Sequence, residues 1–393
     1  MLASTVHVTR DIDLAEECVQ DAYAQALTAW ARDGVPAKPG AWLTTTARNR
    51  ALDLLRRDKT ARRYLPLLVE PETVDAPEVD ESVFRDDRLR LIFTCCHPGL
   101  APEAQVALTL RLLCGLTTAE VARAFLVSEP TMAARITRAK KKIATARIPY
   151  RVPAAADLPE RIEAVLTVVH LLYTTGHTAT AGDDLVRADL VARSLDLARM
   201  LRELLPDDPG VAGLLALILL TDARREARVD AQGRLVLLAD QDRSRWDRHA
   251  IAEGASLVRA ALRTRPPSRY ALMAAIAAVH SEAPSWAATD WRELVGLYDV
   301  LVATWPSPVV ALNRAVAIGL ARGPAAGLAA LDALADEPQL SAYGYLAAAR
   351  ADFLAKLGRI GEARIAYTEA LMLTENAVER AFLEDKLRAL PNT

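Results

Sequence analysis

The sequence predicts an all-α chain of several domains, and three observations carry that expectation. At 393 residues, 52% of them hydrophobic, the chain is longer than a single core supports. Alanine and leucine dominate while aromatic residues make up only 5%, a composition that favours helix over strand. Apolar residues also recur at three- and four-residue intervals along most of its length, so strands should be few.

The first element read this way is IDLAEECVQDAYAQALTAWA, residues 12–31. Leu14, Cys18, Ala22, Leu27 and Trp30 fall at helical spacing, and Glu16, Glu17, Gln20 and Asp21 take the other faces. RDGVPAKPG follows, whose prolines and glycines stop a helix. The next helix, AWLTTTARNRALDLLRRDKTARR, places Leu43, Ala47, Ala51, Leu54 and Leu55 on one side. Thr46, Asn49, Asp53, Arg56 and Arg57 lie opposite, so one face packs and the other is polar and basic.

Residues 66–87 break the pattern. Glu70, Glu72, Asp75, Glu78, Asp80, Glu81, Asp86 and Asp87 face the single base Arg85, and such a stretch reads as an acidic linker. The formal net charge of −2 therefore hides a basic, acidic, basic alternation in the front of the chain. A second helical unit spans 88–148. Gly115 closes one helix, and Thr117 with Glu120 three residues on forms a capping box for the next.

Within that unit, residues 117–143 have the layout of a helix-turn-helix. A short helix is followed by a tight connection, Ser128 as N-cap, and Pro130 in the first turn of a second helix. On this second helix Met132, Ile136, Ala139 and Ile143 form an apolar stripe. Thr131, Arg135, Arg138 and Lys142 form an adjacent basic one, as a helix lying in the major groove requires. A solvated amphipathic helix would show the same stripes; the cap, the turn and the basic face of residues 41–63 favour nucleic acid.

Beyond residue 149 the chain reads as Ala/Leu-rich helices. ARGPAAGLAALDAL and LGRIGEARIAYTEAL align Gly323 with Gly358 and Leu328 with Ala363, an offset of about 35 residues, near the 34 of tetratricopeptide repeats. A helical-repeat array is expected for 149–393. DARREARVDAQGRLVLLADQDRSRWDR, residues 222–248, interrupts it. An exposed loop with a short turn and strand at Asp230, Gly233 and Leu235 to Leu238 is the plainer reading, and a contact surface for the front half the sharper one.

Several function classes are excluded. The longest apolar stretch, VAGLLALILL, is about half of a bilayer span, and MLASTVHVTR lacks a secretory signal's layout. Cys18, Cys95, Cys96 and Cys114 show no disulfide framework, so a cytoplasmic protein with free core thiols is expected. Cys95, Cys96 and His97 have no second ligand pair at zinc spacing, so no metal is expected. His170, Tyr173 and His177 come without a nucleophile elbow, phosphate loop or HExxH motif and are read as packing or surface residues. No enzyme and no cofactor is expected.

DLAEECVQDAY, AWLTTTARNRALDLLRR and LTTAEVARAFLVSEPTMAARITRAKKKI are similar to regions 2.2, 2.3 to 2.4 and 4.2 of bacterial sigma factors of the extracytoplasmic-function type. The whole chain resembles a subgroup with a tetratricopeptide-like extension, through FTCCHPGLAPEAQVALTLRLL, LLALILLTDARREARVD, LADQDRSRWDRHAIAEG and PSPVVALNRAVAI. The resemblance implies region 2 at 1–65, the linker at 66–87, region 4 at 88–148 and the extension at 149–393. It implies that Glu17, Gln20 and Asp21 dock on core RNA polymerase. Lys38, Trp42, Asn49, Arg56 and Arg57 would melt and hold the minus-ten element of promoter DNA. Thr131, Arg135 and Arg138 would meet the minus-thirty-five element, with Lys140, Lys141 and Lys142 on phosphate. The extension would control activity by an intramolecular contact that covers or presents the sigma domains. Only MLASTVHVTR precedes the match, so region 2 is expected to lack its first helix, or the start codon to be misassigned. Ala133 and Ala134 stand where the wider family has larger polar residues, leaving base recognition to fewer side chains. Two rivals are a repeat scaffold whose sigma-like front end only binds partners, and a DNA-binding regulator working without polymerase.

Overall fold

The computed structural model describes residues 1–63, 81–125, 127–154, 156–179 and 181–391. Most of them lie in helices, and they divide into two units, Met1–Val168 and Val169–Thr393. The expected all-α class is observed.

The first unit begins with α1 (Leu2–Thr9), α2 (Ile12–Asp33) and α3 (Pro39–Arg63). The opening stretch forms a short helix: Ala3, Thr5 and Val6 are buried as α1 packs on α2, α3 and the later α4. Asp11 starts α2 by accepting the Leu14 amide at 3.0 Å, and Gly34, at φ 83°, ends it. The α2 core face differs from the expected one. Ile12, Ala15, Cys18, Ala22 and Ala26 are buried, whereas Leu27 is 79% exposed. Opposite them Ala47 and Ala51 of α3 are fully buried. Small side chains on both helices let the backbones approach closely, and a leucine at such a seam would not fit.

The acidic stretch 66–87 lies for the most part outside the described residues. Its end, however, is the start of α4 (Glu81–Cys95), and Asp87 is buried, where it accepts from Arg90 at 2.7 Å and pairs with His7 at 2.7 Å. The hydroxyl of buried Tyr150 lies 2.6 Å from the Ala3 carbonyl and 2.9 Å from that of Asp87, tying both ends of the unit together. Then come α5 (Pro102–Leu112), α6 (Thr118–Ala124), α7 (Glu129–Thr145) and α8 (Leu158–His177). The thiols of Cys18, Cys95 and Cys96 are buried and unbridged. Burial pushes the Cys96 pKa up to about 12.

The second unit continues with the two-residue strand β1 (Ala181–Gly182), then α9 (Ala188–Leu204), α10 (Pro209–Asp222), α11 (Arg248–Ala261) and α12 (Arg269–Glu282). Next are α13 (Trp291–Thr304), α14 (Pro308–Arg322), α15 (Pro324–Asp332), α16 (Gly344–Lys356) and α17 (Ile360–Leu373). Strand β2 (Glu375–Asn376) and α18 (Ala377–Arg388) complete it. Helix α10 is buried on every side, which explains its unbroken apolar run; among the described residues no helix is long and apolar enough to cross a membrane. Its Gly213 allows α12 in: a Cβ there would sit 2.6 Å from the Ala271 nitrogen. Gly323 and Gly358, the positions aligned in sequence, both have positive φ and both join paired helices, α14 to α15 and α16 to α17.

Strands β1 and β2 pair in parallel, Ala181 with Glu375 and Gly182 with Asn376, linking the start of this unit to its end. Fully buried Asn376 makes three side-chain hydrogen bonds there. Its carboxamide oxygen caps α18 by accepting from Val378 and Glu379, and its NH2 donates to the Asp184 carbonyl at 2.9 Å.

Residues 222–248 are largely exposed or half-buried, as the plainer reading expects, but are pinned at a few buried positions. Ala227 and Trp246 are buried, and an antiparallel bridge pairs Val229 with Leu235 around the turn at Gly233. The expected strand at Leu235 to Leu238 is reduced to that one bridge because Asp230 folds the chain back at once, accepting from the amides of Gln232 and Arg234.

Candidate nucleic-acid interface

Helix α7 is built by its local sequence. Ser128 caps it, with its Oγ 2.8 Å from the Thr131 hydroxyl, and Pro130 occupies the first turn, where a missing amide costs nothing. The preceding α6 opens with the capping box: the Thr117 amide donates to Glu120 at 2.6 Å, and the Glu120 amide to the Thr117 hydroxyl at 3.2 Å. Met132, Ile136, Ala139 and Ile143 are all buried, so the apolar stripe holds α7 against α5 and α6.

That anchoring decides what faces out. Thr131, Arg138, Lys141 and Lys142 are exposed, as are Ala133 and Ala134. Arg135 is half-buried, its guanidinium 5.5 Å from the Phe125 ring centre. Arg135, Arg138 and Lys142, with Glu103 opposite, also line a cavity of about 280 Å³ whose apolar part is Leu100, Ala101, Ala104 and Ala139. Sequence reasoning missed this partly apolar hollow, because α7 and the start of α5 with the turn before it, about 35 residues apart in sequence, line it together.

Lys140 stands apart from its neighbours. Its side chain is only 14% exposed and its ammonium donates to Asp13, at 2.7 Å, and to Glu16, both on α2. Arg111 of α5 holds the other Glu16 oxygen at 3.0 Å. Burial alone would lower the Lys140 pKa; the bonds to Asp13 and Glu16 outweigh it and hold the ammonium above its ordinary value. Two acids of α2 thus bind two bases of the helix-turn-helix unit, and residue spacing gives no sign of so distant a pairing.

The residues expected to meet polymerase lie on α2. Glu17 and Gln20 are exposed, while Asp21 is engaged by Arg50 of α3 at 2.8 Å, a bond that raises the arginine pKa. Those expected at the minus-ten element spread along the loop and α3. Lys38, Asn49, Arg56 and Arg57 are exposed, and Trp42 is half-buried, edge-on to Trp30 with ring centres 5.5 Å apart. Beside this aromatic pair Tyr23, Leu27 and Val35 are exposed on α2 and the following loop, apolar surface that the helical-spacing reading assigned to the core or passed over. Among the described residues no cluster of side chains fits a metal ion.

Comparison with known proteins matches this geometry. Residues 2–61 match the family described as sigma-70 region 2 and residues 90–143 the one described as sigma-70 region 4. Residues 161–262 match a family of unknown function, DUF6596. An uncharacterised protein of Rhizobium meliloti (strain 1021) is 44% identical over 392 residues, covering 98% of this chain and 92% of that protein. With α1 to α3 falling in one matched region and the capped helix-turn-helix in the other, the chain belongs to the sigma-70 family, and it continues beyond region 4 into a helical domain of unknown function.

Proposed function

We propose that the protein is a sigma factor of the extracytoplasmic-function type, which binds core RNA polymerase and directs it to a promoter. The observation that carries this reading is the division of α7. A buried stripe fixes the helix while Thr131 and Arg138 present polar groups for base edges, with Lys141 and Lys142 next to them for phosphate. Helix α3, with Asn49, Arg56 and Arg57, and the loop bearing Lys38 would hold the opened minus-ten strand, Trp42 offering a ring for base stacking. Glu17 and Gln20 would dock on polymerase. Lys140 reaches phosphate only after leaving Asp13 and Glu16, so DNA binding requires the contact between α2 and α7 to open.

The test combines transcription with footprinting. Added to core polymerase, the protein should yield discrete transcripts from a cognate promoter and protect two separated elements. Arg138→Ala should weaken binding by about 1–3 kcal/mol and relax preference at one base position. Lys141→Ala should weaken all sequences alike and make the salt dependence shallower by about one unit of slope. Equal weakening on every sequence by both substitutions would leave no base-reading role for α7.

The helical domain after region 4 is assigned control of the front half. Its support is the matched domain of unknown function placed directly after both sigma regions. Substitutions confined to residues 169–391 that keep the fold should change promoter output at constant protein level; unchanged output from every one of them would refute control.

A further inference from the structure

The segment after α10 gathers cations around donors that no other group uses. Arg228 and Arg243 have structural work. Arg228 donates to the His177 carbonyl and, at 3.0 Å, to the Thr178 hydroxyl. Arg243 donates from Nη1 to the carbonyls of His280, at 2.9 Å, and Ala283, at 2.8 Å, and stacks 4.3 Å from the Trp246 ring centre. Arg224 is different. An arginine beyond a helix C-terminus ordinarily bonds the last carbonyls. Arg224 makes no hydrogen bond or ion pair with any described residue, although its Nε is shut off from solvent.

Three further polar atoms nearby are equally unused, two of them donors and the third, a histidine nitrogen, a donor in one tautomer. Arg243 Nη2, Trp246 Nε1 and His280 Nδ1 are each buried without a partner. They belong together: the Asp247 amide donates to the Ala223 carbonyl at 2.9 Å, fixing the Trp246 loop beside Arg224, and Arg243 joins that loop to the end of α12. Two carboxylates approach the cluster, and neither neutralises Arg224. Asp222 lies 3.6 Å from Arg225 with its buried Oδ1 making no hydrogen bond, and Glu379 accepts from the Tyr345 hydroxyl. A buried donor left without a partner is costly, so a chain that keeps the Arg224 Nε beside other idle donors gains most when an anion fills the gap.

We infer that Arg224, Arg243, Trp246 and His280 form a binding site for an oxyanion, a phosphate or carboxylate group carried by a small ligand, inside the helical domain of this protein. The half-buried side chain of Arg224 leaves a way in from solvent, while Arg228 and Arg243 hold the walls through backbone carbonyls. Electrostatics agree: burial, with Arg228 and Arg243 close by, brings the Arg224 pKa down to about 10, and a bound anion would restore it. Because every residue of the site belongs to the second unit, it stands or falls independently of the promoter reading.

Thermal unfolding of the full-length protein tests the site, with inorganic phosphate and succinate as separate probes and sodium chloride at matched ionic strength as the blank. Arg224→Met keeps the stem and removes the charge; Arg292→Gln, at an exposed arginine of α13, is the control. A saturable rise in melting temperature is expected with at least one probe, retained in R292Q, with a Kd raised at least tenfold in R224M. R224M without ligand should melt no lower than the parent, since a charge without partners is lost. A response to phosphate alone or succinate alone names the ligand's acidic group. No saturable response to either probe, or equal responses in parent and R224M, would overturn the site. Should R224M fail to fold, Arg224→Lys, which keeps the charge but loses the fork, must show the same weakening.

Discussion

Replacing Glu16 by alanine removes the acid that Lys140 and Arg111 share, and so attacks the contact between α2 and the helix-turn-helix unit. The three side chains are 20%, 14% and 29% exposed, between the surface pairs worth little and the buried pairs whose rupture is severe. About 1 kcal/mol for each of the two pairs lost gives about 2 kcal/mol, and Asp13 keeps part of the hold on Lys140. A change of about 2 kcal/mol moves the balance between closed and open forms by roughly 30-fold. Where the closed form predominates before DNA is bound, Glu16→Ala should lower the apparent Kd for promoter DNA by up to about 30-fold while lowering stability to urea by about 2 kcal/mol. Fluorescence anisotropy at one fixed salt concentration reads the first and urea titration the second. Lys140→Ala opens the same contact but forfeits a phosphate contact, so its gain should be smaller and its salt slope shallower by about one unit. A Glu16→Ala protein that loses stability yet binds DNA no better would refute the idea that this contact masks the DNA-binding face.

Other substitutions test the packing. Gly213→Ala should cost about 2 kcal/mol in urea titration, because the added methyl meets the α12 backbone rather than a movable side chain. Asn376→Asp keeps the cap on α18 but loses the donor to the Asp184 carbonyl, and should lower the melting temperature; equal melting of parent and variant would show that this link adds nothing. His170 and His280 are held neutral chiefly by burial, helped by Arg269 in one case and by Arg224 and Arg243 in the other, and both pKa values fall from 6.5 to about 4. The unfolded chain therefore takes up protons below pH 6.5 that the folded chain refuses until about 4. Stability is full above 6.5 and drains as pH falls through that window, by about 1 kcal/mol per unit for each histidine, a slope that His170→Gln with His280→Gln should flatten. In the native protein a thiol reagent should modify half-buried Cys114 and leave Cys18, Cys95 and Cys96 until unfolding.

What could be read from the sequence was whatever depends on neighbours a few residues apart. Ser128, Pro130, the Thr117–Glu120 box and the stripe from Met132 to Ile143 are local devices, and each sits in the structure where its spacing puts it. Leu27 misled because helical spacing names a face without saying which partner it meets, and α3 meets α2 along alanines. The Lys140–Glu16 pair spans 124 residues and the Arg243–His280 bond 37, so neither leaves a periodic trace. Arg224 was legible only as one of many charges in 222–248; its distinction is the absence of a partner, which only the surrounding fold reveals. The opening ten residues show the converse: Ala3, Thr5 and Val6 carry a helical face too short to stand out until α2 to α4 cover it.

The most direct measurement is transcription in a defined mixture of core RNA polymerase, this protein and fragmented genomic DNA. Discrete start sites that vanish without the protein, and that weaken selectively with Arg138→Ala, are expected of a sigma factor that reads its promoter through α7. A folded protein that binds polymerase yet yields no specific transcript from any fragment would contradict that role.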